Sequence, residues 1–131
     1  MEIDGIRMLS KEIITSENLG KEFLELFNSP EANVKGVVYF FMSKLPIPRV
    51  IGESRILYIG RTQQTIKRRY SKYSQTLASN RSGEFYKRII ENYGGITMGY
   101  VVSSTPVQTE REYFLKYRDT FYEHPPKSKV G

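Results

Sequence analysis

The run Gly36-Val37-Val38-Tyr39-Phe40-Phe41-Met42 constrains the fold more than any other stretch. β-Branched and aromatic residues without a polar break suit a buried strand, and the run is far too short to cross a bilayer. Ile56-Leu57-Tyr58-Ile59 reads as a second strand that ends at Gly60. The stretch between them, Leu45-Pro46-Ile47-Pro48, is expected to be loop, because proline cannot donate to a ladder. The two strands then pair as an antiparallel hairpin. Ile96 to Val102 predicts a third strand, with Gly99 marking a bulge.

Helical periods surround these strands. Ser16 is placed to cap a helix that buries Leu19, Phe23 and Phe27 and stops at Asn28-Ser29-Pro30. After Thr62, Ile66, Tyr70, Tyr73 and Leu77 form one stripe. Ser82 caps a helix carrying Phe85, Ile89 and Tyr93, which Gly94-Gly95 stops. Thr105-Pro106-Val107-Gln108 combines a cap, an N1 proline and a capping-box glutamine, so the last helix starts there. From His124 onward, with Pro125-Pro126, the tail is expected to be irregular. The order is helix, strand, strand, helix, helix, strand, helix, which implies the α/β (α+β) class with a three-stranded antiparallel sheet flanked by helices.

At 131 residues this is one domain, and no segment repeats. The absence of cysteine excludes disulfides and thiolate zinc sites, and a lone histidine argues against an all-protein zinc cage. The acidic N-terminus does not read as a signal peptide, so the chain is expected to be soluble and cytoplasmic, in a prokaryote or a virus's host. The net charge of +6 is unevenly placed. Residues 55–90 hold Arg55, Arg61, Lys67, Arg68, Arg69, Lys72, Arg81, Lys87 and Arg88 against Glu84 alone. Such a field suits a polyanion partner, because each neutralised phosphate releases condensed counterion; a solvated helix face is the competing explanation.

Tyr58-Ile59-Gly60-Arg61-Thr62, followed by Ile66, Arg69 and Tyr73 and preceded by Gly36-Val37-Val38-Tyr39, resembles the GIY-YIG nuclease superfamily. Phe85 to Gly94 is similar to that family's second helix, so the likeness covers roughly residues 36–122. It implies a nuclease core over 36–122, an N-terminal helical extension over 1–35 and an irregular tail over 123–131. The first motif departs from the family by an extra valine between glycine and tyrosine. The family's terminal asparagine is also missing, with Glu123, His124 and Ser128 in that region.

Hydrolysis of a phosphodiester needs a base for water, stabilisation of the phosphoryl charge and help for the leaving oxygen. No carboxylate or histidine cluster accompanies the basic region, so a phenol becomes the base, its pKa of about 10 lowered by cations such as Arg61. The resemblance implies that Tyr39 or Tyr58 takes this role, with Tyr39 preferred. It also implies that Arg69 and Tyr73, four apart on one helix face, converge on a phosphate; Arg68 with Lys72 is the rival pairing. Lys67, Arg68, Lys72, Arg81, Lys87 and Arg88 are expected to bind flanking phosphates. For the metal, Glu110 and Glu112 compete. Glu110 fills the gap in an apolar stripe of Val107, Phe114, Tyr117 and Phe121, whereas Glu112 lies off it or completes a cap with Thr109. Glu110 is chosen, and one carboxylate suits Mg2+, with Mn2+ as substitute.

The expected activity is thus metal-dependent endonucleolytic cleavage of DNA by a stand-alone enzyme of viral, mobile-element or restriction-like type, the last step by family analogy alone. One site cuts one strand, so double-strand cleavage would call for a homodimer, a higher homo-oligomer or two successive events. A non-catalytic nucleic-acid-binding module on the same scaffold is the alternative. His124 is expected at the surface.

Overall fold

The apolar run becomes the centre of a sheet because both its faces are covered: Val37, Val38, Tyr39, Phe40 and Phe41 are all buried. Each such side chain contributes roughly 1.5–3 kcal/mol when withdrawn from water. The structure, a computed structural model, describes residues 1–73, 77 and 81–127, Arg81 by its backbone alone. Among these, β1 (Arg7–Met8), β2 (Lys35–Pro48), β3 (Glu53–Thr65) and β4 (Ile96–Val102) form one antiparallel sheet in the order β1-β4-β2-β3. The helices are α1 (Leu19–Phe27), α2 (Ile66–Arg69), α3 (Arg81–Tyr93) and α4 (Pro106–Phe121), with a 3-10 turn at Pro30–Asn33. The class is α+β, as expected.

The sheet has four strands, not three. The added one is two residues long, Arg7 and Met8 opposite Tyr100 and Gly99. Leu9 N–H extends it to the Met98 carbonyl at 2.8 Å, and Ile13 and Ile96 exchange two bonds of 2.9 Å. Gly99 makes room for this segment, since a Cβ there would lie 2.6 Å from Met8 Sδ and 2.8 Å from Ile6 Cδ1. It marks no bulge: β2 and β4 stay in register from Val37–Val102 to Ser43–Ile96.

The proline stretch is strand as well. Beyond Ser43 β4 ends, so that side of β2 is an open edge where Pro46 and Pro48 withhold no needed donor. Ile47 and Pro48 pair with Ser54 and Glu53, which shortens the hairpin loop to residues 49–52.

One sheet face packs on α1, α2 and α3 around Phe23, Leu26, Phe27, Tyr39, Phe41 and Tyr86. α4 covers the other with Tyr117 and Phe121 against Val38, Phe40, Ile56 and Ile59. Helix ends depart from expectation in detail. Asn18, not Ser16, caps α1 by accepting the Lys21 N–H at 3.2 Å. Ser82 falls inside α3, which already includes Arg81. α4 starts at Pro106, but Thr105 makes no side-chain cap, and Gln108 donates instead to Glu112 at 3.1 Å. No helix among the described residues is long and apolar enough to cross a membrane.

Candidate active site

The register of β2 and β3 sets two tyrosines on one face: Tyr39 opposes Gly60, and Phe41 opposes Tyr58. The Tyr39 ring lies across Gly60, where a Cβ would fall 2.5 Å from ring carbon Cζ and from the hydroxyl oxygen. The glycine of Tyr58-Ile59-Gly60 therefore serves its cross-strand neighbour and does not end the strand. β3 runs on to Thr65 and carries Arg61 opposite Val38. Leu57 is an extra residue between the pairs Phe41–Tyr58 and Met42–Ile56. This bulge turns both Leu57 and Tyr58 toward the aromatic core.

Thr65 then accepts the Arg68 N–H at 3.1 Å and starts α2. The helix expected from Thr62 to Leu77 is interrupted. Residues 62–65 stay extended in the β2 ladder, α2 ends at Arg69, and 70–72 turn before Tyr73 and Leu77 are helical again; residues 74–76 lie outside the described set. The turn drives Tyr70 into the core, where its ring stacks on Phe27 with centroids 4.6 Å apart. The Tyr70 hydroxyl donates to that of Tyr39 at 2.9 Å, and the hydroxyls of Tyr73 and Tyr86 pair at 3.0 Å. Arg69 holds its guanidinium 5.2 Å from the Tyr70 ring centroid.

From the opposite face α4 delivers Glu110 to the free edge of β3, where Arg61 Nη1 donates to its Oε1 at 2.9 Å. The two side chains are 45% and 24% exposed, so the pair contributes only about 0–1 kcal/mol, and exchanging it for a cation or a phosphate costs little. The apolar stripe of α4 differs from the expected one: Val107 is 55% exposed, and Pro106, Tyr117 and Phe121 form the buried line. Glu112 is exposed and borders neither cleft described next.

Two clefts of about 390 Å³ each adjoin at this edge. Tyr58, Arg61, Arg69 and Glu110 line both. Tyr39 opens onto the one bounded by Gln63 and Val107. Tyr73 opens onto the other, with Tyr70, Tyr86, Phe114 and Lys127. The six residues expected to carry chemistry thus surround one groove. Lys67, Arg68, Lys72, Lys87 and Arg88 are exposed but line neither cleft, and Arg88 pairs with Glu84 at 3.2 Å. The Arg81 side chain and Ser128 lie outside the described residues. His124 packs its ring 5.1 Å from that of Phe114, behind the groove lining, and borders neither cleft itself.

Burial governs the phenols. It pushes Tyr39, 1% exposed, up to about 12, outweighing the Tyr70 hydrogen bond and the Arg69 charge that pull the other way. Tyr70 and Tyr86 are driven well above the ordinary phenol value for the same reason, and Tyr73 is raised despite its bond to Tyr86. Tyr58 stands half-buried at the junction of the clefts.

Among the described residues no group of three or more Asp, Glu, His or Cys could cage a metal. The donor set at the groove is one carboxylate, Glu110, among phenols and guanidiniums. It fits a hard ion that keeps most of its waters, Mg2+ or Mn2+, and does not fit zinc.

Two groove residues escape a reading of the sequence. Tyr70 counts there as part of an apolar stripe; the available clue is that a buried phenol needs a hydrogen-bond partner. Lys127 follows two prolines in a tail without periodicity, and nothing local ties it to a site 70 positions away in the chain (Leu57). Set against protein-family models, curated proteins and solved structures, the chain matches none.

Proposed function

We propose that the chain is a metal-dependent endonuclease that hydrolyses DNA phosphodiesters in the groove at the edge of β3, in the manner of the GIY-YIG nucleases it resembles. The observation that carries this reading is the convergence of Tyr58, Arg61, Arg69 and Glu110, from three separate elements, on both clefts. Two guanidiniums, phenols and one carboxylate are what a phosphoryl-transfer site without a histidine requires.

We assign the base to Tyr58, not to the Tyr39 preferred from sequence. Tyr39 is only 1% exposed, borders one cleft and has its pKa pushed up to about 12, whereas Tyr58 is half-buried and lines both clefts. Tyr58, acting as phenolate, takes the proton of a water whose oxygen bonds to phosphorus in line, as the bond from phosphorus to the leaving oxygen breaks and that oxygen is protonated from solvent. Arg61 and Arg69 hold the non-bridging oxygens, and Tyr39, fixed by Tyr70 and seated on Gly60, shapes the wall. Mg2+ at Glu110 would supply Lewis-acid stabilisation of the phosphoryl and leaving oxygens. Arg61 leaves Glu110 for the phosphate, so one guanidinium serves the carboxylate before binding and the substrate after it.

Purified protein incubated with supercoiled plasmid and Mg2+ tests the reading. The expected result is nicked circles, abolished by chelator and reduced about 100-fold or more in Glu110→Ala and Arg69→Ala. If wild type and variants nick equally little across DNA and RNA substrates, the enzyme reading fails. Retained DNA binding would then leave the non-catalytic module, with Glu110 serving only as the partner of Arg61.

A further inference from the structure

We propose, resting on that nuclease reading, that the C-terminal tail is a built part of the groove and that Lys127 holds a phosphate adjoining the one bound by Arg61 and Arg69. The described residues of the tail, 122–127, have no regular secondary structure, yet they are fastened at successive points. Tyr122 leaves α4 in the left-handed region at φ 58°, its N–H bonded to the Arg118 carbonyl at 2.8 Å. Arg49, from the β2–β3 loop and only 12% exposed, makes a 2.6 Å ion pair with Glu123 and donates from Nη2 to the His124 carbonyl at 2.7 Å. The His124 ring rests against Phe114. Pro125, buried, and Pro126 then restrict φ, so the direction set at Arg49 carries forward.

The endpoint of this path is Lys127. Its N–H donates to the Leu57 carbonyl at 2.9 Å, so the tail docks on the residue that the β-bulge displaces beside Tyr58. Its Nζ donates to Ser82 Oγ at 3.2 Å and lies 5.5 Å from the Tyr86 ring centroid. A lysine side chain gives up much of its rotamer freedom when fixed in this way. That cost is explicable if the ammonium is wanted at one spot, and the spot is the wall of the cleft that Tyr58, Arg61, Arg69 and Glu110 also line. Lys127 extends the cationic lining past the tyrosines, away from the Gln63 and Val107 end. A strand held at Arg61 and Arg69 and continuing through this cleft brings its next phosphate to Lys127.

The test is fluorescence anisotropy of a fluorescein-labelled DNA duplex in chelator, comparing wild type, Lys127→Met, Lys127→Arg and, as reference, Arg69→Ala. We expect Lys127→Met to bind on the order of fivefold more weakly, with the slope of log affinity on log salt reduced by about 0.9, and Lys127→Arg to restore both. Wild-type affinity and slope in Lys127→Met, beside a weakened Arg69→Ala, overturn the role of Lys127 and leave the nuclease reading standing. Failure of wild type to bind duplex or single strand sinks both. A second measurement needs no variant: bound duplex should protect Lys127 from acetylation by acetic anhydride, read by mass spectrometry, and equal modification with and without DNA contradicts the proposal.

Discussion

The two faces of the sheet are packed with different chemistry. Under α4 the core is small, Val38, Ile56, Ile59 and Val101 with Phe40, Tyr117 and Phe121. Under α1, α2 and α3 it is larger, and among aliphatic residues such as Leu26, Leu57, Ile66 and Ile90 it holds a connected group of rings, Phe23, Phe27, Tyr39, Phe41, Tyr70, Tyr73 and Tyr86, many of them edge to face. Four of those rings carry hydroxyls joined in pairs, Tyr70 to Tyr39 and Tyr73 to Tyr86. Burying a phenol is favourable only with its hydroxyl satisfied, so a core that needed volume alone would use phenylalanine. The ring-bearing face is therefore both a core and, through Phe41, Tyr70, Tyr73 and Tyr86, the back wall of the groove. The groove opens where that face reaches the free edge of β3 and meets Glu110 from the helix on the other side.

Substitutions can break or sharpen this contrast, with stability read by urea denaturation. Phe27→Ala, which removes the ring stacked on Tyr70, should cost about 3–5 kcal/mol, against about 0.5–1.5 kcal/mol for Ile56→Val under α4. Comparable losses would deny that the aromatic stack holds the site together. Gly60→Ala places a methyl group within the Tyr39 ring and should cost about 1–3 kcal/mol, with cleavage falling alongside; a neutral result would show that the close seat of Tyr39 on Gly60 is dispensable.

Tyr39→Phe strips the acceptor from the buried Tyr70 hydroxyl and should cost about 1–3 kcal/mol at neutral pH. The same pair predicts an alkaline limb. A phenol raised from 10 to about 12 keeps its proton in the folded state after the unfolded chain has lost it. Stability is then full below pH 10 and declines as pH rises from 10 toward 12, less steeply in Tyr39→Phe. Equal limbs in the two proteins would contradict the assignment to Tyr39. The smallest stability change belongs to Arg69→Ala, within about 1 kcal/mol because the arginine is exposed and meets the buried Tyr70 ring from the solvent side, although its effect on cleavage should be among the largest.

How much of this was legible in the sequence depended on how local the determinants were. Gly36 to Met42, the α1 stripe and the Thr105-Pro106 start of α4 are short-range signals, and each element is present. The fourth strand was not legible, because two residues of β1 have no period and become a strand only through Gly99 and the Met98 carbonyl. Pro46 and Pro48 misled for a related reason: a proline excludes a central strand, but where β4 stops β2 becomes an edge. At the site, Arg69 and Tyr73 both line the groove but do not share one helix face: α2 ends at Arg69, and the turn that follows puts Tyr70 in the core against Phe27. The proposed base could not be chosen from residue types, because burial, not identity, separates Tyr39 from Tyr58.

Glu110 is the residue on which a working nuclease and a binding module differ, and Glu112, two positions along the same helix, is its natural control. Single-turnover cleavage of a labelled duplex in Mg2+ should fall about 100-fold or more in Glu110→Gln and stay near the wild-type rate in Glu112→Gln, with both variants still binding DNA in chelator. Equal rates in the two variants would contradict a catalytic groove at the edge of β3.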